Sequence, residues 1–218
     1  MFVDVHSHSR RVEKDILCIE NVFLGDEMPE NTPFSVGLHP WYINDFSSDT
    51  EESLNSYLVS ANLVALGELG LDPNSKADKR AQLDAFKQQI QFSEEHKLPV
   101  IIHLVKHFDD IVALKRELKP KMPWVIHGFN KNPQLAMQLQ REGFYLSFGK
   151  SLIVEDSNAQ MSFKELDIKK LFLETDDAED LTIEEVYLQA AKLKAMPLAE
   201  LKAQLLDNFK TVFSRNDD

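Results

Sequence analysis

The chain has 218 residues, of which 43% are hydrophobic and 28% are charged, a composition typical of one well-cored globular domain over residues 1–218. Its formal net charge of −12 argues against a nucleic-acid coat protein or any other binder that works by bulk electrostatic attraction, but not against an enzyme that takes a polyanionic substrate at one site. The lack of a signal-peptide pattern and of a roughly 20-residue apolar stretch predicts no membrane association. The single cysteine, Cys18, has no partner for an internal disulfide and favours a reducing cytoplasm.

Short apolar runs bounded by turn signals predict eight buried parallel strands. They are Phe2–His6, Ile16–Leu24, Phe34–Leu38, Leu63–Gly67, Val100–His103, Trp124–His127, Phe144–Phe148 and Leu171–Thr175. Helical patterns cover Glu51–Ser60, Ala77–Lys97, Phe108–Leu118, Pro133–Arg141, Ile183–Lys194 and Leu198–Phe213, the last beginning just after Pro197. Strands that mostly alternate with helices predict an α/β fold of the (β/α)8 TIM-barrel class.

The connection between the first two strands does not fit a regular barrel. Only the polar residues from Ser7 to Asp15 separate the strands, whereas a parallel crossover needs about a dozen residues or more. Either a helix is missing there, or the second strand runs antiparallel or lies outside the barrel. Residues 25–33, before the third strand, read as a plain loop.

Five of the predicted strands end in residue types that bind divalent metals. The C-terminal ends of parallel strands are where α/β barrels place their chemistry. Alternation along the first strand would turn Asp4, His6 and His8 to the same side, where Asp4 could orient a histidine that binds metal. The other four endings carry Glu68, His103, His127 and Asp176. Together the five endings indicate a binuclear hydrolase.

Seven sequence blocks make the chain resemble the TatD family of metal-dependent deoxyribonucleases, which belongs to the amidohydrolase-like TIM barrels. The resemblance spans most of the chain, from Phe2 to Phe213, although the segment after the first histidine pair is much shorter than is usual in the family. The blocks are Asp4-Val5-His6-Ser7-His8, Gly37-Leu38-His39-Pro40, Gly67-Glu68-Leu69-Gly70-Leu71-Asp72, Pro99-Val100-Ile101-Ile102-His103, Ile126-His127-Gly128-Phe129, Leu173-Glu174-Thr175-Asp176 and Asn208-Phe209 with Phe213.

The resemblance implies two divalent ions per chain, which could be Mg, Mn or Zn. The implied ligands of one ion are His6, His8, Glu68 and Asp176, and those of the other are Glu68, His103 and His127. Glu68 would bridge the ions, and Asp176 would also align or deprotonate the attacking water. Such paired ions activate water and stabilise the oxygens of an in-line phosphoryl displacement.

Other residues near the strand ends have two interpretations each. His39 could contact substrate or shape a turn, and Trp41 could stack on a base or simply pack. Lys106 and Arg10 follow predicted strands and could contact phosphates, or they could be solvated surface cations. Glu174 shares a strand face with Asp176, and we expect it to hold a metal-binding histidine through a hydrogen bond.

Three functions are compatible with this pattern. The leading hypothesis is a monomeric deoxyribonuclease that acts on DNA ends, with single-stranded ends as the preferred substrate. The second is an amidohydrolase-type enzyme for a small ester, amide or phosphoester. The third is a metal-binding barrel without activity, and the intact ligand set counts against it. One sequence does not separate the first two, because the same ligands activate water for either electrophile.

Overall fold

A computed structural model of the protein describes residues 1–9, 14–45 and 50–214. Eight strands lie in one sheet in the order of the sequence, and every neighbouring pair is parallel. They are Phe2–Ser7 (β1), Ile16–Phe23 (β2), Phe34–Gly37 (β3), Leu63–Leu71 (β4), Val100–Leu104 (β5), Trp124–Ile126 (β6), Tyr145–Phe148 (β7) and Leu171–Leu173 (β8). A parallel bridge between Ser7 and Asp176 brings the two edges together, so the sheet forms a nearly closed barrel.

The helices in the described residues follow the strands from β3 onwards. They are Thr50–Asn55 (α1), Lys79–His96 (α2), Phe108–Leu118 (α3), Pro133–Arg141 (α4), Asn158–Glu165 (α5), Ile183–Lys194 (α6) and Leu198–Phe213 (α7), with 3-10 turns at Pro40–Asp45, Ser56–Val59, Lys150–Leu152 and Ile168–Lys170. The bounds of α3, α4, α6 and α7 are those predicted from the sequence. None of the described helices is both long and apolar enough to cross a membrane.

Two helix predictions need correction. The predicted helix Glu51–Ser60 is α1 followed by a separate 3-10 turn. Helix α5 was not predicted, because it is short and carries few large apolar side chains. Its start has a recognisable signal, since the Ser157 hydroxyl accepts a hydrogen bond from the Gln160 amide in the manner of an N-cap.

The irregular first crossover joins two parallel strands, and its described residues form no helix. Strand β2 pairs parallel with β1 and belongs to the barrel, so the antiparallel and external alternatives are wrong. Only residues 8–15 connect the two strands, and those of them that the structure describes, 8, 9, 14 and 15, are not helical. The next connection, residues 24–33, is a loop as predicted.

The barrel interior holds its own apolar cluster, separate from the larger core between strands and helices. The cluster takes side chains from six strands, which share only the barrel interior. Its members are Val3, Val5, Ile19, Ala65, Ile101, Val125 and Phe172, joined by Phe209, Val212 and Phe213 of α7. The Phe213 ring lies 5.4 Å from that of Phe172, so the last helix packs on this cluster. The polar residues gather at the opposite, C-terminal ends of the strands.

Candidate metal centre

Four potential ligand atoms converge where β1 and β4 meet the bridge that follows β8. The Nε2 atoms of His6 and His8 lie 3.7 and 3.6 Å from Oε2 of Glu68. The same two atoms lie 3.6 and 3.4 Å from Oδ1 of Asp176. Backbone hydrogen bonds fix this arrangement, because the Asp176 amide donates to the His6 carbonyl and the His8 amide donates to the Asp176 carbonyl.

These separations fit a shared cation better than direct hydrogen bonds. Two ligand atoms bonded at about 2.1 Å to a tetrahedral ion are roughly 3.4 Å apart. His6 is fully buried, and neither of its ring nitrogens has a hydrogen-bond partner in the described part of the chain. A buried imidazole without a partner is costly, so the His6 ring is suited to a ligand that the chain itself does not supply.

The other oxygen of Glu68 faces a second group of histidines. Its Oε1 lies 2.7 Å from Nδ1 of His103 and 2.8 Å from Nε2 of His127, with Nε2 of His39 at 3.6 Å. The short contact with His103 is a hydrogen bond, and the one with His127 is an ion-pair contact. The two oxygens of Glu68 therefore point at two different sets of nitrogen donors.

The charges in the cluster are strongly coupled. Burial, together with the neighbouring His127, lowers the pKa of His6 to about 3, although Glu68 and Asp176 act in the opposite direction. The neighbouring carboxylates of Asp176 and Glu68 raise the pKa of His8 to about 9. Burial alone would raise the pKa of Glu68, but His127, His103 and His39 hold it well below its usual range. The carboxylates are thus ionised at neutral pH, the form that binds metal.

Glu174 and Asp4 lie beside the residues of the cluster. Glu174 is fully buried and accepts a hydrogen bond from the Gly128 amide, and its Oε1 lies 3.5 Å from Nδ1 of His127, which makes no hydrogen bond within the described residues. Asp4 accepts hydrogen bonds from both the amide and the hydroxyl of Thr175, at 3.1 and 2.6 Å. Since Thr175 precedes Asp176, these bonds hold the segment that presents the Asp176 carboxylate.

Comparisons with known proteins agree with this geometry. A family model described as "TatD related DNase" matches residues 6–214. A relative named as the metal-dependent hydrolase YcfH of Escherichia coli K12 is 31% identical over 204 residues, covering 84% of this chain and 74% of the relative. The chain belongs to the TatD family of metal-dependent hydrolases. A second relative, named as the metal-dependent hydrolase YabD of Bacillus subtilis, is 29% identical and covers 87% of this chain and 82% of its own length.

Solved structures agree on the TatD fold. The crystal structure of YjjV, a TatD homolog from Escherichia coli K12, superposes with a TM-score of 0.73 at 25% identity, covering 84% of this chain and 78% of the other. A TatD-family hydrolase from Entamoeba histolytica superposes with a TM-score of 0.80 at 18% identity, covering 97% of both chains, which speaks for the fold alone. The predicted fold class and the family resemblance are both confirmed.

His39 and Trp41, two of the residues expected to contact substrate, differ in how far they are exposed. His39 is buried, with 5% of its surface exposed, and forms part of a possible ligand group with Glu68 and His103. Trp41 lies beside it at the surface, 51% exposed, with its indole N–H donating to Asp72. Of the TatD barrel's expected phosphate contacts, Lys106 is exposed just after β5, and Arg10 lies outside the described residues.

Asp72 is a candidate site residue to which the sequence analysis gave no role. It is buried, and its Oδ2 accepts from the Trp41 indole at 2.8 Å and lies 3.0 Å from Nε2 of His103. The contact leaves Nδ1 of His103 facing Glu68. A usable signal was present, because residues 68 and 72 lie on the same face of a regular strand. The predicted end of that strand at Gly67 was wrong, since β4 continues to Leu71.

Proposed function

We propose that this TatD-family chain is a deoxyribonuclease that hydrolyses DNA phosphodiester bonds from strand ends, using two divalent ions drawn from Mg, Mn or Zn. The observation that carries the proposal is the convergence of four donor atoms, from two histidines and two carboxylates, at separations of 3.4 to 3.7 Å. The description of the matching family as TatD-related DNases supports DNA as the substrate.

In this proposal the ligands fall into two sets that share one carboxylate. One set is His6, His8, Glu68 and Asp176, and the other is Glu68, His103 and His127. When bound, paired divalent ions supply an activated water and stabilise the attacking and leaving oxygens of an in-line phosphoryl displacement. Glu68 belongs to both sets because its two oxygens face different histidines. Glu174 and Asp72 orient His127 and His103 through the ring nitrogens that face away from Glu68.

Asp176 is the residue that we assign to aligning the attacking water. Its carboxylate is 24% exposed, whereas that of Glu68 is 4% exposed, so solvent and substrate can reach Asp176. Its backbone is fixed by hydrogen bonds to both strand-1 histidines. An acid that is both reachable and held in place can accept a hydrogen bond from water in a constant direction.

The test compares Asp176→Asn with Asp177→Asn on metal-reconstituted protein. Asp177 is the neighbouring acid, 65% exposed and paired with Lys150, and its substitution should leave turnover unchanged. Asp176→Asn should lose about 100-fold or more in kcat on single-stranded DNA, with a smaller effect on KM. The same preparations are assayed on duplex DNA, RNA and chromogenic carboxyl esters.

Two results would contradict the proposal. Faster hydrolysis of the carboxyl esters than of any DNA would favour the small-ester alternative. Near-normal turnover of Asp176→Asn at saturating metal would exclude Asp176 from the water-aligning role.

A further inference from the structure

A small aromatic pocket opens directly beside the candidate metal centre. It has a volume of about 290 Å³ and lies between the C-terminal ends of β2 and β3 and the 3-10 turn that follows. Its lining consists of Phe23, Leu24, Asp26, Gly37, Leu38, His39 and Tyr42. Ligand pockets for drug-sized molecules start at roughly 300 Å³, so this one fits a single planar ring system better than a whole nucleotide.

Ring contacts make the pocket continuous with the metal centre. The Phe23 ring centroid lies 5.6 Å from that of His8, and the Tyr42 centroid lies 5.9 Å from that of His39. Phe23 and Tyr42 meet each other edge to face, at 5.4 Å and 76°. A ring in the pocket would therefore lie within one nucleotide's reach of a phosphate at His8. Tyr42 is 38% exposed, which leaves part of its ring free for a ligand.

The lining chemistry selects a base rather than a phosphate. None of the described residues that line the pocket is Lys or Arg, and one of them, Asp26, is acidic. Among the described lining residues, a phosphate would meet a carboxylate and no cation. Stacking on an aromatic ring suits every base, because each has a π face.

We infer that this pocket is a nucleobase subsite, which holds the base next to the scissile phosphate, with Phe23 and Tyr42 as its stacking residues. The inference rests on the proposed phosphodiesterase function. It assigns substrate recognition to Phe23 and Tyr42. These residues contact the metal centre only through the rings of His8 and His39 in the ring contacts described above.

The experiment measures kcat/KM on two single-stranded oligonucleotides. They differ only in the nucleotide that is released, which carries adenine in one and is an abasic tetrahydrofuran in the other. We expect the unmodified protein to prefer the adenine substrate by roughly 5- to 100-fold, the range that base–aromatic stacking provides. Tyr42→Ala and Phe23→Leu should each move this ratio towards one, whereas Tyr42→Phe should keep it.

Two comparison variants make the result specific. Leu188→Ala, at an exposed position on α6, should leave both the rates and the ratio unchanged. Trp41→Ala tests the competing platform, since Trp41 is exposed on the other side of His39. Loss of the ratio in Trp41→Ala but not in Tyr42→Ala would overturn the pocket assignment. A ratio near one in the unmodified protein would overturn it as well, while leaving the phosphodiesterase function intact.

If neither oligonucleotide is cleaved, that result counts against the proposed function. A separate binding experiment then tests the subsite. Calorimetry on the metal-loaded protein compares deoxyadenosine 5′-monophosphate with deoxyribose 5-phosphate, neither of which contains a phosphodiester bond. The subsite predicts tighter binding of the nucleotide by a similar factor, with the difference lost in Tyr42→Ala. Equal binding of the two ligands would overturn the subsite.

Discussion

At the residue scale, Glu68 joins the two halves of the centre. Its Oε2 faces His6 and His8, and its Oε1 faces His103 and His127. Glu68→Ala should therefore reduce the binding of both ions, and elemental analysis after dialysis measures this. Glu184→Ala, which removes an exposed acid from the first turn of α6, should keep the metal content unchanged. Two ions at full occupancy in Glu68→Ala would rule out the bridging role.

His8 couples metal binding to pH. Its pKa is raised to about 9 by the neighbouring carboxylates of Asp176 and Glu68, so the ring is protonated at neutral pH in the metal-free protein. A metal ligand must be neutral imidazole, and binding below pH 9 must therefore expel this proton. For the ion assigned to His6, His8, Glu68 and Asp176, we expect the apparent affinity to rise about tenfold per pH unit up to about pH 9 and then to level off.

Calorimetry in two buffers of different ionisation enthalpy measures the number of protons released. At pH 7, binding of the two metal ions should release at least one proton per chain, and the His8→Gln variant should release fewer protons. Affinity that stays constant between pH 6 and pH 8 would show that His8 carries no proton for the metal to displace.

At the scale of elements, the sequence predicted most of the strands and helices because each has a clear period and clear end signals. The run Val100–His103 is short, apolar and followed by a polar turn, and it became β5 with one residue added. The helix Ile183–Lys194 begins at Thr182 with a capping box, a local signal that needs no tertiary information.

Features that depend on contacts between elements were not predictable. The continuation of β4 through Glu68 to Leu71 is set by pairing with β5, where Gly70 lies opposite His103. The inclusion of His39 among the possible ligands depends on how the turn after β3 folds against Glu68. The ligand types and their order could be read from the sequence, but the spatial arrangement could not.

Gly70 tests how tightly β4 and β5 must approach. Its φ of +156° and a Cβ that would lie 1.8 Å from the His103 carbonyl oxygen leave no room for a side chain. Gly70→Ala should destabilise the fold by about 1–3 kcal/mol or more, and should move His103 away from Glu68. Denaturant unfolding and metal content measure the two effects.

Gly143→Ala is the matched control for that substitution. Gly143 also has a positive φ, of +82°, but the nearest atom to its added Cβ is a lysine side-chain carbon at 3.7 Å. Its substitution should cost backbone strain only and leave the metal content unchanged. If Gly70→Ala binds metal as Gly143→Ala does, the close strand approach is not what positions His103.

At the scale of the whole molecule, the overall acidic charge opposes the binding of DNA that the proposed function requires. The net charge of −12 repels DNA at long range, but salt screens surface charge beyond about 8 Å under physiological conditions. Binding must then come from contacts at the mouth of the barrel. The monomeric state and the cytoplasmic location stay predictions.

The loops at the C-terminal ends of the strands form the walls of that mouth. The wall beside β1 and β2 consists of short connecting segments. The connection after β1 has only residues 8–15, and the one after β2 is a loop without a helix. Such an open side admits a flexible strand end more readily than it encloses a small substrate. Arg10 and Arg11, which lie outside the described residues, belong to the first of these connections.

We therefore predict that single-stranded or frayed DNA ends are degraded one nucleotide at a time, in preference to duplex interiors. Replacing Arg10 and Arg11 with Ala should weaken DNA binding and reduce the slope of log affinity against log salt by about one unit per lost contact. Replacing Lys192 and Lys210 with Ala removes the same charge from the last turns of α6 and α7, and should not change the slope. An unchanged slope in the arginine variant would exclude that loop from phosphate contact, and rapid cleavage of closed circular DNA would exclude attack from ends, because such DNA has none.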